Sequence, residues 1–231
     1  MKKLLNILLA GITGTAIIMA CTNGTSTTAN TTEATAVTTE AVQTTQANQN
    51  QDARAMVKDW PETAKMAANN MIDKYGQPHG ITPHMLIWHD TGPFKRTIVY
   101  KEEVQHDFPM PHKDVLEQFV NYQVPADKFD ELAMYDGSVI AERTKGELSA
   151  RCDKEGANIL ALNLADDIIK GKRTVDEARQ LYADAIMQML QGQKPAYMQS
   201  LQFSPPAQNV GFTDKTVMDM SKVKQLKQDK Q

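Results

Sequence analysis

The chain has 231 residues, 41% of them hydrophobic, with 25 basic against 28 acidic side chains and a net charge of −3. That balance, with no basic stripe interleaved with aromatics, excludes nucleic acid as a natural partner. Two cysteines, Cys21 and Cys152, are too few for a disulfide framework.

The N-terminus, MKKLLNILLAGITGTAIIMAC, has a basic start at Lys2 and Lys3 and an apolar run that is short and interrupted by Gly11 and Gly14. It reads as a secretion signal rather than a span, and Ile18-Met19-Ala20-Cys21 resembles the cleavage box of bacterial lipoproteins. Residues 1–21 are therefore expected to be a lipoprotein-type signal peptide, with Cys21 as the lipidation site that ties the mature protein to a membrane. Thr22 stands where inner-membrane retention would need aspartate, so the expected location is the outer membrane, with the domain facing the periplasm. Residues 22–51, rich in Thr, Ala, Gln and Asn and without an apolar period, are expected to be a disordered tether. Such a tether has a root-mean-square reach of roughly 30 Å. Residues 52–198 suit one globular domain, and 199–231 a loosely ordered arm ending in lysines.

Within the domain, Asp59-Trp60-Pro61-Glu62 opens a helix whose apolar stripe runs Ala64, Ala67, Ala68, Met71, Ile72 and Tyr75 and which Gly76 closes. MLIWH (85–89) and KRTIVYKEEV (95–104), separated by Asp90-Thr91-Gly92-Pro93, predict a β-hairpin. With the loop at 91–94, Ile87 faces Ile98 and Met85 faces Tyr100, while Leu86 faces Val99 and Trp88 faces Thr97. Both faces are apolar in the middle, which asks for a central place in the sheet. The same register sets His89 beside Arg96, a cation that opposes protonation of the imidazole.

Pro111 is expected to start a second helix, with Val115, Leu116, Phe119 and Val120 as its stripe and its end before Pro125. His112 would then lie in its first turn, where the dipole disfavours a charged imidazole. A shorter helix with Phe129, Leu132 and Ala133 and a turn at Tyr135-Asp136-Gly137-Ser138 follow. VIAERTKGELSARCD predicts a second hairpin. A three-residue loop, Thr144-Lys145-Gly146 with the glycine left-handed, sorts its faces best: Ile140 opposite Ala150 and Arg143 opposite Glu147. Ile140, Leu148, Ala150 and Cys152 would then point inward, and Arg143, Glu147, Ser149, Arg151 and Asp153 outward.

Residues 155–170 (EGANILALNLADDIIK) are apolar enough to be the most buried helix, closed by Gly171. Thr174-Val175-Asp176-Glu177 is a capping box for the last long helix, which buries Ala178, Leu181, Tyr182, Ala185 and Met189, so the domain ends in an αα-hairpin. The expected class is α+β: two β-hairpins forming a mostly antiparallel sheet packed against several helices.

No phosphate loop, HExxH, GxSxG, CxxC or dinucleotide fingerprint is present in the sequence. All five histidines, at 79, 84, 89, 106 and 112, fall in one stretch with Asp90, Asp107 and Asp114 beside them. His89, His106, Asp107 and His112 are the candidate catalytic residues, and His89, His106 and His112 the candidate ligands of a divalent metal, the one cofactor these residue types suit. Their spacing matches no standard motif. Fully extended, His106 and His112 would stand about 20 Å apart at ~3.3 Å per residue, so they meet only if Pro109 turns the chain back. Otherwise they are polar surface histidines. A second candidate is the outward row Arg143, Glu147, Arg151 and Asp153. Its guanidiniums could grip an anionic or zwitterionic ligand, or form a salt-bridged solvent face. Cys152 reads as core, and Asn158 and Asn163 as hydrogen bonds in helix packing.

WHDTGPFKR (88–96), HDFPMPHKDVLEQF (106–119), YDGS (135–138) and GELSARCDKEGANILALNLADDI (146–168) resemble an uncharacterised bacterial protein family. The resemblance implies one domain over about 60–190 and carries no activity, cofactor or catalytic residue. Two functions are expected from the residues. One is a lipid-anchored envelope protein that binds an envelope protein or small ligand. The other is a metal-assisted or acid-base hydrolase of an envelope substrate.

Overall fold

The computed structural model describes residues 52–212 and 214–229; the signal segment, Cys21 and the tether lie outside the described residues. The strands are β1 (Gly80–Ile81), β2 (Met85–Thr91), β3 (Phe94–His106), β4 (His112–Asn121), β5 (Val139–Glu142) and β6 (Glu147–Cys152). They form one open antiparallel sheet in the order β1-β2-β3-β4-β6-β5. With the helices α1 (Ala53–Met56), α2 (Glu62–Tyr75), α3 (Phe129–Tyr135), α4 (Glu155–Ile169), α5 (Val175–Leu190), α6 (Ala196–Gln199) and α7 (Met220–Gln228), this is an α+β fold.

The first hairpin has the expected register: Met85↔Tyr100, Leu86↔Val99, Ile87↔Ile98, Trp88↔Thr97 and His89↔Arg96. Thr91 pairs with Phe94 across Gly92-Pro93, so the turn is tight, and Gly92 takes φ +58°, a region that glycine enters without a Cβ clash. Leu86, Trp88 and Val99 pack under α1 and α2 against Ala53, Val57, Trp60, Ala64, Ala67 and Met71. Trp88 is fully buried and donates its indole N–H to Gly76 O at 2.9 Å, so its ring reaches the core without stranding a polar group.

The segment expected to be a helix after Pro111 is instead β4. The stripe at 115, 116, 119 and 120 fits one face of a helix, but this segment lies between β3 and β6, buried on both sides, and such a strand is apolar without strict alternation. Ridges of partners from elsewhere in the chain override the local pattern. β3 carries a bulge between Val99 and Val104, beyond which Val104↔Asp114 and His106↔His112 pair. The element order is accordingly one helix poorer in the middle than a simple repeat of helix-hairpin-helix would have: β4 replaces one of the two helices expected between the hairpins.

The second hairpin differs by one residue from the expected register. Val139 faces Ala150, Ile140 faces Ser149 and Glu142 faces Glu147, leaving a four-residue loop, Arg143 to Gly146. Gly146 is left-handed as expected (φ +62°). The slip turns every β5 side chain over: Val139 is buried and Ile140, expected inside, is 46% exposed. The close Glu142–Glu147 pairing is tolerated because Glu147 is held from β3 by Lys95 (2.7 Å) and Arg96 (2.9 Å).

α4 is the most buried helix. Its Leu160, Leu164, Ala165 and Ile168 pack with Val120, Leu132, Leu148, Ala178 and Tyr182. Asn158 donates to Leu116 O (3.0 Å) and Gln118 Oε1 (3.2 Å), which ties α4 to β4. Asn163 donates to Tyr197 O and Ser200 O, each at 2.9 Å, and accepts from Gln202 N–H at 2.7 Å. The start of the arm is thus docked, with Met198 buried. The Thr174–Glu177 capping box opens α5. Near the end of the arm, α7 is a helix capped by Asp219, where sequence suggested only a loose tail.

Candidate metal centre

β3 ends at His106, the chain reverses across Asp107–Pro111, and β4 begins at His112, so the antiparallel ladder sets His106 and His112 directly opposite each other. Their ring centroids are 5.0 Å apart. Alternation along β4 brings Asp114, two residues on, to the same side. Among the described residues, His106, His112 and Asp114 are the group that offers three donor atoms within 4.8 Å of one another.

His112 Nε2 lies 3.1 Å from Asp114 Oδ1, and His106 Nδ1 lies 3.5 Å from Asp114 Oδ2. Bonds of about 2.0–2.2 Å in a tetrahedral zinc site place neighbouring donors about 3.3–3.5 Å apart; the two separations here, each to a different Asp114 oxygen, are near that range, and all three donors lie within 4.8 Å. His106 Nδ1 and Asp114 Oδ1 are both buried with no hydrogen-bond partner. A buried carboxylate oxygen is costly unless something cationic faces it, and in the metal-free protein that cation is the His112 ring 3.1 Å away.

The other donor atom of each residue is occupied or faced by an orienting group. His112 Nδ1–H donates to Met110 O at 2.9 Å, leaving Nε2 free to face the site. Ser138 Oγ donates to Asp114 Oδ2. His106 Nε2 looks toward Asp136 Oδ1 at 3.6 Å, and Asp136 in turn accepts from Ser138 N–H at 2.8 Å. Carboxylates and backbone carbonyls behind the ligands are how proteins fix imidazole tautomers at metal sites. Arg151 Nε, buried and without a hydrogen-bond partner, stands 3.8 Å from Asp114 Oδ2 and adds positive charge beside that carboxylate.

The electrostatics follow from this packing. The Asp114 carboxylate first, and the Cys152 sulfur second, raise the His112 pKa to about 11, against the cost of burial. This corrects the expectation of a neutral imidazole at a helix start: there is no helix dipole at His112, and a buried anion faces it. Burial pushes Asp136 upward, opposed by the Ser138 N–H and His106. Burial also pushes the Cys152 thiol up, although its Sγ lies 3.3 Å from His112 Nε2.

A cleft of about 230 Å³ opens beside His112 and Cys152. Its walls are the Pro109-Met110-Pro111 turn, Ala157 of α4, and Tyr182, Ile186 and Met189 of α5.

The remaining candidates do not join this centre. His89 is exposed and its backbone N–H donates to His79 Nδ1 at 3.1 Å, with the two rings 6.0 Å apart. Asp107 is exposed and accepts from Gln105. Nor do Arg143, Glu147, Arg151 and Asp153 form one site. Arg143 pairs with Asp214, Glu147 with Lys95 and Arg96, Arg151 turns to Asp114, and Asp153 pairs with Lys154. The face is therefore divided among separate ion pairs. Asp114, Asp136, Ser138 and Cys152 were missed as members of the centre. Reading HKDVLEQFV with period two would have put His112 and Asp114 on one side.

No protein-family model, curated protein or solved structure matches the chain. No helix among the described residues is long and apolar enough to cross a membrane.

Proposed function

We propose that this is a lipid-anchored envelope domain that binds a transition-metal ion of the zinc class through His106, His112 and Asp114. The observation that carries the reading is the convergence of one donor atom each from His106, His112 and Asp114 within 4.8 Å, with His106 Nδ1 buried and without a hydrogen-bond partner. Two imidazoles and one carboxylate suit zinc, whose ligands they commonly are, better than calcium or magnesium, which prefer all-oxygen shells. The anchor rests on the Ile18-Met19-Ala20-Cys21 box and the tether behind it.

Metal-assisted hydrolysis of an envelope substrate is the second reading, favoured by the cleft at His112. Three protein donors leave a tetrahedral ion one position for water, and an ion so placed lowers the pKa of that water.

Calorimetric titration of the full-length protein with zinc tests the first reading. It predicts one ion per chain, with affinity lowered at least about 100-fold by His106→Ala, His112→Ala or Asp114→Ala, the upper end of what outer-shell changes cost. Equal affinity in all four proteins would remove these residues as ligands.

A further inference from the structure

We propose that the cleft beside His112 takes the apolar chain of a short straight-chain carboxylic acid or its acyl derivative, head toward the metal. The inference rests on the metal reading for the head and on the cleft alone for the tail.

The lining is mixed in chemistry. His112, Cys152, Asp153 and Lys154 are in contact one with the next, and Ala157, Tyr182, Ile186 and Met189 add apolar surface. His112 belongs both to the metal set and to the lining, and its Nε2 lies 3.3 Å from Cys152 Sγ, another lining residue, so an occupant of the cleft has its head beside the proposed ligand. A bound divalent ion is the strongest local charge and attracts an oxygen anion or a carbonyl oxygen. Lys154, half exposed and paired with Asp153, is a second cation in the lining.

The tail follows from size and lining. At about 230 Å³ the space falls below the range of about 300–1,000 Å³ usual for drug-sized ligands, which leaves room for one slender chain. Met110 and Leu190 remain 48% and 62% exposed at its edge, apolar surface that a ligand tail would cover. Two methionines, Met110 and Met189, give the wall an adaptable surface that accepts chains of differing length.

The test is calorimetry of acetate, butyrate, hexanoate and octanoate on the full-length protein, once loaded with zinc and once after chelation. Each methylene that enters the cleft should tighten binding about fourfold, since a buried methylene is worth about 0.8 kcal/mol. That slope should be present in both preparations, and the whole series should be tighter with zinc. Ile186→Asp on the wall, and Leu190→Asp at the exposed edge, should each flatten the slope while leaving zinc affinity unchanged. Affinity independent of chain length, or no binding of any acid, overturns the cleft assignment. A slope that persists while zinc changes nothing keeps the cleft and overturns the metal as the head group's partner.

Discussion

His106 and His112 face each other across the β3–β4 ladder with their rings 5.0 Å apart, although fully extended chain would separate them by several times that distance. The reversal at Asp107–Pro111 makes them neighbours, and Asp114 completes a buried group that ordinary core packing does not require. In the proposed site Ser138 and Asp136 would act as positioning residues, because they contact or face Asp114 and His106 and are not among the three donors. Ser138→Ala frees Asp114 Oδ2 and should lower zinc affinity about 10–100-fold while the fold is kept. Competition against a chromophoric chelator, with far-UV circular dichroism as the fold control, reads this directly.

In the proposed site zinc and the proton would compete for His112. With its pKa near 11, His112 is charged in the metal-free protein at neutral pH, and binding must displace that proton. Zinc affinity should rise about tenfold per pH unit above pH 7, and calorimetry in buffers of differing ionisation enthalpy should show about one proton released. In the metal-free protein the sign for stability is the opposite. A raised pKa makes the charged His112 a stabilising group below its ordinary value of 6.5, and that contribution fades as pH rises toward about 11. Urea denaturation of the chelated protein between pH 7 and 10 should show it, and His112→Gln should remove it.

The sheet's other ion pairs are structural. Glu147 is 4% exposed between Lys95 and Arg96, and Arg96 also stacks over the Phe119 ring at 3.8 Å. Glu147→Gln should cost roughly 2–3 kcal/mol, somewhat less than a fully buried pair because both cations reach solvent. Zinc affinity should be unaffected. Burial raises the Glu147 pKa but the two cations outweigh it, so the group sits below its ordinary value. Its contribution is present above the ordinary carboxylate range and is lost as pH falls through the lowered value.

Asn163 anchors the start of the C-terminal arm through its bonds to Tyr197, Ser200 and Gln202. Asn163→Ala leaves two part-buried carbonyls and the Gln202 N–H without their partner and should cost about 1 kcal/mol. Hydrogen exchange should speed up at residues 197–202 and remain unchanged in β3 and β4.

Local signals were sufficient for much of this fold. The β2–β3 register was legible because apolar pairs and a Gly-Pro turn agree on it, and α4 and α5 because their periods, glycine stops and capping box agree. β4 was not, because Val115, Leu116, Phe119 and Val120 satisfy a helical stripe as well as they satisfy a strand buried on both sides. Only its pairing with β3 and β6 decides between the two. That one misreading also hid the centre: with residues 112–121 helical, Asp114 points away from His112. The β5 slip has a similar origin, since Lys95 and Arg96, which make the Glu142–Glu147 pairing tolerable, come from a distant strand.

The central claim is that three named side chains hold one ion. Anomalous diffraction at the zinc edge, from crystals of the zinc-loaded full-length protein, measures it most directly. The expected result is one peak per chain, about 2.0–2.2 Å from His112 Nε2, a His106 ring nitrogen and an Asp114 carboxylate oxygen. A peak at any other group of residues, or no peak between these three, would contradict it.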